Sequence, residues 1–318
     1  MATGLPREQA MEEASGEFAF IDWLRRNTPP HPSVSLGPGD DAAALRLSAH
    51  SECLVTTDML LDGVCFRLEE VGPRQVGRKA MAVNMSDIAA MAGRPVAAFV
   101  SVALPRSGGK ALAPELYLGL RDVTDDFGTA IAGGDTNSWD GPLAISVTLL
   151  GEATGNGPVH RSGAKPGDWI LVTGELGGSI AGKHLTFTPR VREALHLHSV
   201  ADLHAMIDVS DGLSADLNHI CVESGCGAVL HSESIPISKA ANGMNDQKSP
   251  LEHALTDGED FELVFASPPD HARALIEKQP IPGITLVHIG EFVDRGLWLE
   301  TAGRRVPLLP RGYTHELC

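Results

Sequence analysis

The chain has 318 residues, 43% of them hydrophobic and 21% charged, which is enough for one large domain or two of ordinary size. Its 41 acidic residues exceed its 25 Lys and Arg, and the formal net charge of -16 argues against DNA or another nucleic acid as a broad-surface partner. The N-terminus has no apolar core of the signal-peptide type, and no run of about 18 uncharged apolar residues occurs, so we expect a cytoplasmic protein without a membrane partner.

The first half of the chain alternates strand-like apolar runs with amphipathic stretches. Residues 1–15 are polar and are expected to be flexible. Strands are predicted at 52–60, 96–105 and 143–153, and helices at 17–26, 71–91 and 114–128. In the helix 71–91, Val83 and Asp87 are four residues apart and share one helical face, and Asn84 is expected to look inward with Asp87.

A change of composition after Gly151 marks the expected domain boundary. The stretch GEATGNGPVHRSGAKPGD is rich in Gly and Pro, and the buried-strand pattern WILVTG follows it. We therefore place an N-terminal domain at 16–150 and a C-terminal domain at 151–318. Strands of the second domain are predicted at 169–174, 205–210, 228–235, 261–267 and 284–293, with a helix that begins near Leu213. Because strands and helices mix in both halves, the architecture is predicted to be α/β or α+β.

A carboxylate next to Gly, Ser, Thr or Asn recurs at the edges of these apolar runs. The motifs are GPGDDAA (37–43), TTD (56–58), NMSD (84–87), GGDT (133–136), DVSDG (208–212) and DGED (257–260). Any single one can be an ordinary turn or helix cap, since Asp and Ser side chains hydrogen-bond nearby backbone amides. If the six converge, two carboxylates about 4 Å apart repel by roughly 4 kcal/mol at an effective dielectric constant of about 20, so the cluster requires cations. Asp carboxylates beside Ser and Thr hydroxyls are hard oxygen ligands of the kind that Mg²⁺ accepts.

Two glycine-rich stretches have a spacing similar to a phosphate-binding loop. GGSIAGK (177–183) matches GxxxxGK but continues with His184, where the loop needs a Ser or Thr hydroxyl for Mg²⁺. GPRQVGRK (72–79) has Arg78 in the place of the lysine. We interpret GGSIAGK as a helix start that is opened by glycine and packs tightly on its strand.

The 13 histidines and five cysteines have no spacing typical of a catalytic or metal site. Neither HExxH nor GxSxG occurs, HLHS (196–199) lies in a polar stretch, and the histidines are expected to be solvated. The cysteines are scattered, which predicts neither a zinc site nor a disulfide framework.

The motifs together carry a family resemblance. In their order and spacing, seven stretches of the sequence resemble thiamine-monophosphate kinase. This family belongs to the larger group typified by aminoimidazole ribonucleotide synthetase. The stretches are GDDAA, TTDMLLDGVCF, KAMAVNMSDIAAM, GGDT, RSGAKPGDWILVTG, IDVSDGLSADLNHI and GEDFELVF. The resemblance runs from about Gly16 to Tyr313. It implies a two-domain fold with mixed α/β (α+β) sheets, whose N-terminal sheet pairs with that of a second subunit in a homodimer. It also implies that ATP and several Mg²⁺ ions bind between the domains.

The resemblance implies roles for individual residues. Metal binding is expected at Asp41, Thr56, Thr57, Asp58, Asp87, Asp135, Asp208 and Asp211. ATP contacts are expected at Gly134, Asp135, Arg161 and Ser210, and contacts to thiamine monophosphate at Cys65, Glu259 and Tyr313. Asp211 and Arg161 are expected to be catalytic, whereas Asp40 is expected to make the hydrogen bonds of its own turn. The family commonly has His at the position of Cys65, which is either a substrate contact or a packed thiol.

The implied reaction transfers the γ-phosphoryl group of ATP to thiamine monophosphate and gives thiamine diphosphate and ADP. A phosphate monoester has a second pKa near 6, so its oxygen is largely ionised at pH 7 and needs no strong general base. The reaction needs two mutually repelling anions to be aligned and the charge on the moving group to be neutralised. Mg²⁺ ions held by Asp, together with Arg161, are expected to meet that need.

Other functions remain open at this point. A hydrogenase-maturation relative works through a C-terminal cysteine, and this chain ends in HELC with Cys318, although that relative's tail reads Pro-Arg-Ile-Cys. A selenophosphate-forming relative needs Cys or selenocysteine near the N-terminus, where the first 50 residues contain no Cys. A non-catalytic nucleotide-binding protein of the same fold would be expected to have lost metal carboxylates, and none of the expected ones is missing.

Overall fold

The structure is a computed structural model that describes residues 34–36, 43–48, 51–155 and 157–314. Asp41, Cys318, the segment 1–15 and the predicted helix 17–26 lie outside the described residues. The described strands form two sheets, one built from the first half of the chain and one from the second. The mixed α/β architecture predicted for both halves is therefore confirmed.

The first sheet has the strand order β1-β2-β3-β6-β4-β5. Its strands are β1 Val34–Leu36, β2 Ala43–Ser48, β3 Ser51–Leu61, β4 Arg94–Pro105, β5 Ala130–Trp139 and β6 Ala144–Glu152. The helices of this half are α1 Leu68–Val71, α2 Pro73–Ala90 and α3 Gly109–Phe127. Neighbouring strands are antiparallel except β4 and β5, which are parallel and are connected through α3. The strands predicted in this half are confirmed, and the helix predicted at 114–128 begins earlier, at Gly109.

The second sheet has the strand order β13-β12-β9-β11-β7-β10-β8. Its strands are β7 Trp169–Thr173, β8 Ala205–Asp208, β9 Gly227–His231, β10 Leu263–Ser267, β11 Leu286–Val293, β12 Leu297–Thr301 and β13 Arg304–Pro307. The helices of this half are α4 Lys183–Thr186, α5 Val191–Val200, α6 Leu213–Ser224, α7 Lys239–Gly243, α8 Pro250–Thr256 and α9 Pro269–Lys278. The strand predicted at 228–235 ends at His231, because Ser232–Ser234 turns into a 3₁₀ helix. The HLHS stretch is part of α5.

Helix α2 lies between the two halves. Pro73 is its first residue, a position where the missing N–H of proline removes no helical hydrogen bond. The helix packs on β3 and β6 of the first sheet and on β8 and α5 of the second half. The Arg78 guanidinium donates to the carbonyl oxygens of Leu185 at 3.1 Å and Phe187 at 2.6 Å. Apolar packing and these hydrogen bonds together join the second half to α2.

One hydrophobic core runs through both halves. Leu54, Met85 and Leu149 of the first half belong to the same buried cluster as Met206 and Phe265 of the second. A separate core lies on the opposite face of the second sheet, against α6 and α8. Because the first cluster is shared, burial of apolar surface sets the position of one half against the other.

The face of the first sheet that points away from α2 carries exposed apolar side chains. Met59 is 64% exposed and Phe99 is 43% exposed. Exposed apolar side chains that share a sheet face often mark a surface for protein contacts. Within the described ranges, the helices are too short or too polar to serve as membrane spans.

Candidate active site

A cavity of about 1050 Å³ lies between the two halves of the molecule. The ladder between β2 and β3 ends at the pair of Ala43 with Val55, and the residues of β3 that follow Val55 line the cavity. The remaining wall includes the turn after β3, α2, the turn after β8, α6, α8, the loop before β10 and the segment after β13. The predicted site residues that line the cavity are Thr56, Thr57, Asp58, Cys65, Asp87, Arg161, Ser210, Asp211, Glu259 and Tyr313.

Strand β3 and helix α2 supply the carboxylates on one side of the cavity. Thr56 and Asp58 are two residues apart on β3, so their side chains share the face that packs on α2. The Thr56 hydroxyl donates to the Asp87 carboxylate at 2.5 Å. The Thr57 side chain points the other way and meets the Thr148 hydroxyl at 3.0 Å. The TTD and NMSD motifs, separated by a turn and a helix in the sequence, thus come together at the cavity.

The DVSDG motif supplies a second group of carboxylates. Asp208 is 1% exposed and accepts a hydrogen bond from the Ser86 hydroxyl at 2.5 Å. Asp216, also 1% exposed, accepts from the backbone N–H groups of Asp211 and Gly212 at 3.0 Å each. Burial first, and then the negative charges of Asp211 and Asp208, raise the pKa of the Asp216 carboxyl well above its ordinary value. These carboxylates therefore lie close enough to repel one another.

Asp211, Asp216 and His219 each present a ligand atom within 4.8 Å of the other two. Sequence reasoning identified Asp211 but missed Asp216 and His219. The signal was present in SDGLSADLNHI, since positions three apart at the start of a helix lie on one face. Two of the three donors are carboxylates, so the group could hold a cation.

The DGED motif reaches the cavity because it extends the pairing of β10 with β8. The N–H of Phe261 donates to the carbonyl of Val209, and the N–H of Glu259 to that of Ser210, both at 2.8 Å. Gly258 has φ +74°, and a Cβ there would lie 2.6 Å from the Ser210 carbonyl oxygen. Only glycine allows this approach, and Glu259 follows in the left-handed region at φ +53°. The backbone of one motif thus positions the other.

Cys65 and Tyr313 lie at the same cavity on segments far apart in the chain. Burial is the main cause that raises the pKa of the Cys65 thiol, so the thiol stays protonated near neutral pH. The Tyr313 side chain is 48% exposed, and its backbone N–H donates to the carbonyl of Asp211 at 3.0 Å. The Ser214 hydroxyl donates to the carbonyl of Arg311 at 2.7 Å, which ties the final segment to the start of α6. Cys65 is therefore placed to touch a ligand but is no thiolate nucleophile.

The expectation of solvated histidines is wrong for His253, which is 1% exposed and lines the cavity. Its Nδ1 lies 2.7 Å from a carboxylate oxygen of Asp257, and its Nε2 lies 3.1 Å from one of Asp246. Two carboxylates satisfy the two ring nitrogens, which is what permits burial of a polar ring. His184 is likewise 8% exposed, with Nδ1 at 2.8 Å from the Ser179 carbonyl.

The GGSIAGK stretch is a glycine-opened helix start, as interpreted from the sequence, but it packs on helices rather than on its strand. Gly178 precedes the 3₁₀ helix Ser179–Ala181, and Gly182 precedes α4. A Cβ on Gly177 would lie 2.6 Å from the backbone nitrogen of Ala254 in α8. The glycines serve close backbone approach between segments.

Three of the described site residues, Gly134, Asp135 and Asp208, do not line the cavity, and Asp208 is buried against Ser86 instead. Gly134 and Asp135 lie on the exposed edge strand β5. Asp58, Val147, Val100 and Gly134 are paired in succession across four strands, which puts Gly134 about 14 Å from Asp58. Asp135 shares its sheet face with Met59 through the same ladders, on the side away from α2. A further predicted residue, Asp41, lies outside the described residues.

Comparison with known proteins gives two family-model matches that cover most of the chain. Residues 39–153 match the model described as AIR synthase related protein, N-terminal domain. Residues 165–297 match AIR synthase related protein, C-terminal domain. Residues 154–164, between the two matches, lie in the connector between β6 and β7.

Relatives that share the name thiamine-monophosphate kinase match this chain over nearly their whole length. Thiamine-monophosphate kinase of Rhodopirellula baltica is 43% identical over 310 residues, which cover 94% of this chain and 97% of the relative. A solved structure of AaThiL complexed with AMPPCP and TMP is 30% identical, with a TM-score of 0.79 over 94% of this chain and 97% of that one. E. coli HypE, a hydrogenase maturation protein, has a TM-score of 0.66 at 19% identity over 92% of this chain and 96% of its own, which shows a shared fold alone.

Proposed function

The chain belongs to the AIR synthase related family and, within it, to the thiamine-monophosphate kinases, and on this premise we propose its reaction and its site. It transfers the γ-phosphoryl group of ATP to thiamine monophosphate and releases thiamine diphosphate and ADP. This reaction is the last step of thiamine diphosphate formation by direct phosphorylation of the monophosphate.

The observation that carries the proposal is the convergence of separate acidic motifs on one cavity. Asp58, Asp87 and Asp211 come from β3, α2 and the turn after β8, and all three line it. A volume of about 1050 Å³ accommodates a nucleoside triphosphate and a second phosphorylated ligand side by side. A cavity built for a neutral ligand would have no need of this charge.

The donor set fits Mg²⁺. Carboxylates and threonine hydroxyls are hard oxygen donors. Burial first, and then the negative charges of Asp211 and Asp208, raise the pKa of Asp216, and a divalent cation would relieve the second of these two causes. The residues proposed to hold the ions are Asp41, Thr56, Asp58, Asp87, Asp208 and Asp211. The side chains of Thr57 and Asp135 lie on the opposite face of the first sheet and are left out of this set. When bound, Mg²⁺ neutralises charge on the phosphates and on the transferring phosphoryl group.

The protein's own residues align the reactants. A phosphate oxygen of thiamine monophosphate forms a bond to the γ-phosphorus of ATP as the bond from that phosphorus to the β,γ-bridging oxygen breaks. The attacking oxygen is already ionised, so no side chain has to remove a proton. Arg161 lines the cavity close enough to Asp216 that its positive charge lowers the pKa of that carboxyl, in opposition to burial. We assign the charge of Arg161, together with Asp211, to the transferring group.

The thiamine part of the substrate is cationic and carries an amino group, which can donate a hydrogen bond to a carboxylate. We propose Glu259 for that contact, with Cys65 and Tyr313 beside it. Ile180 and Val222 are 61% and 67% exposed and also line the cavity, so they offer apolar contact to the rings of either ligand. Ser210 is proposed for ATP, whereas Gly134 does not line this cavity.

We propose that the protein is a homodimer that buries the outer face of its first sheet. Met59 and Phe99 are exposed on that face, and Asp135 lies on the same side. Light scattering is expected to give twice the chain mass, and Phe99→Asp is expected to shift it toward the monomer. A monomeric wild-type protein would contradict this proposal.

Because ATP is found inside cells, we propose that the reaction takes place in the cytoplasm. We also propose that residues 16–150 and 151–318 form the two domains.

The reaction is tested by incubating the purified protein with ATP, Mg²⁺ and thiamine monophosphate and separating the products by chromatography. Thiamine diphosphate and ADP are expected in equal amounts, and EDTA is expected to abolish both. ADP formation without thiamine diphosphate would refute the acceptor. ATP binding by calorimetry without turnover would instead favour a non-catalytic nucleotide-binding protein of this fold.

A further inference from the structure

Lys79 buries a positive charge in the wall of the cavity. Its side chain is 1% exposed, yet the residue lines the cavity from α2. Removing an ammonium group from water is costly unless the group is paired and hydrogen-bonded. A residue that only packed against its neighbours would not need a charge here.

The ammonium group joins three separate segments. It donates to the carboxylate oxygen Oε1 of Glu259 at 2.5 Å and to the carbonyl oxygen of Cys65 at 2.8 Å. Lys79 belongs to α2, Cys65 to the turn after β3, and Glu259 to the loop before β10. The contact thus reaches from the first half of the molecule to the second at the cavity wall.

The Glu259 carboxylate keeps one side for a ligand. Its side chain is 34% exposed, and Lys79 bonds to one of its two oxygens. The backbone of Glu259 lies at φ +53°, and its N–H is hydrogen-bonded to the carbonyl of Ser210. The backbone is therefore fixed, and only the side-chain torsions can change the direction of the carboxylate. The ammonium group of Lys79, which is itself buried and hydrogen-bonded, restricts the side-chain torsions of Glu259.

We propose that Lys79 is a positioning residue that fixes the carboxylate of Glu259 and the turn at Cys65 for the cationic part of thiamine monophosphate. This inference rests on the proposed function. Without the ammonium, Glu259 keeps its charge but loses its orientation, so binding of the thiamine part weakens while the phosphate-transfer groups stay in place.

The test is Lys79→Met, which keeps the length of the side chain and removes the charge. The KM for thiamine monophosphate is expected to rise roughly tenfold or more, while kcat and the KM for ATP change by less than about threefold. Lys183→Met is the matched control, because Lys183 also pairs with a glutamate, Glu262, at 2.8 Å but lies away from the cavity wall. The control is expected to leave both KM values within about twofold of wild type.

Glu259→Gln tests the same contact from the other side and keeps an oxygen for Lys79. It is expected to raise the KM for thiamine monophosphate, and the double variant is expected to be no worse than the worse single one, because the two residues act as one unit. An unchanged KM for thiamine monophosphate in either single variant would overturn the inference, as would equal losses for both substrates. If Lys79→Met fails to fold, Glu259→Gln alone decides. Absence of thiamine diphosphate with the wild-type protein would refute the function itself, which is a separate result.

Discussion

The Asp260→Asn variant is expected to gain stability relative to wild type as the pH rises from acid to alkaline. Asp260 lies in the DGED loop next to the cavity and is 1% exposed. One carboxylate oxygen accepts the N–H of Gly177 at 2.8 Å, and the other has no hydrogen-bond partner among the described residues. Burial raises the pKa of this carboxyl from its ordinary value of 3.8 to about 7.

The raised pKa decides the sign of the effect. Between pH 4 and pH 7 the folded protein holds a proton on Asp260 that the unfolded chain has lost, so the free energy of unfolding falls as pH rises. Each pH unit in that window costs about 1.4 kcal/mol, and the shift from 3.8 to about 7 sets an upper bound of about 4 kcal/mol. Asparagine mimics the neutral acid and cannot ionise. The stability of Asp260→Asn relative to wild type is therefore expected to increase by about 3 kcal/mol between pH 5 and pH 8.

Urea unfolding at pH 5 and pH 8, followed by tryptophan fluorescence, measures this difference through the midpoint and slope of each transition. Trp169 and Trp298 lie in the second sheet and report on the half that contains Asp260. Asp294→Asn is the control, because this side chain is exposed in the turn between β11 and β12. A stability difference that stays constant within about 0.5 kcal/mol between the two pH values would refute the reasoning.

Four further substitutions test the site and the packing around it. Asp58→Asn and Asp211→Asn are each expected to lower kcat by roughly a hundredfold or more with an unchanged circular dichroism spectrum, and near-normal turnover in both would disprove the acidic cluster. Ser86→Ala removes the hydrogen bond to the β8 carboxylate and is expected to raise the Mg²⁺ concentration for half-maximal activity roughly tenfold, which a titration would check. Gly177→Ala adds a Cβ at φ +86° and 2.6 Å from the α8 backbone, so unfolding experiments are expected to show a loss of roughly 2 kcal/mol or more, and wild-type stability would contradict the close approach.

Much of the fold follows from local patterns in the sequence. The β-branched run ECLVTTDML predicts β3, and the Gly and Pro that surround WILVTG predict β7. The patterns were less accurate where a side chain redirects the backbone. Strand β11 begins at Leu286 rather than at 284, where the Gln279 side chain bonds both backbone groups of Leu286 at 2.8 and 2.9 Å. Such a bond cannot be read from apolar spacing.

The residues of the candidate site, like the strands, were only partly predictable from the sequence. The six acidic motifs could be found in the sequence because each combines Asp with small or hydroxyl residues at the edge of an apolar run. Lys79, Asp216 and His253 were missed because a single Lys, Asp or His in a helix is ordinary until its partners are known. Burial singles them out, since a polar group inside a protein has to be paired.

The sequence by itself determined the strands, the central helix α2, the acidic motifs and the family, because each depends on residues that are neighbours in the chain or on their order. Only the tertiary structure decided which of these meet. Thr56 bonds Asp87, whereas Asp135 lies on the opposite face of the same sheet. Lys79 pairs with Glu259, 180 residues away. The register of the β ladders and the shared apolar core bring such residues together or keep them apart, and both arise from contacts between distant segments.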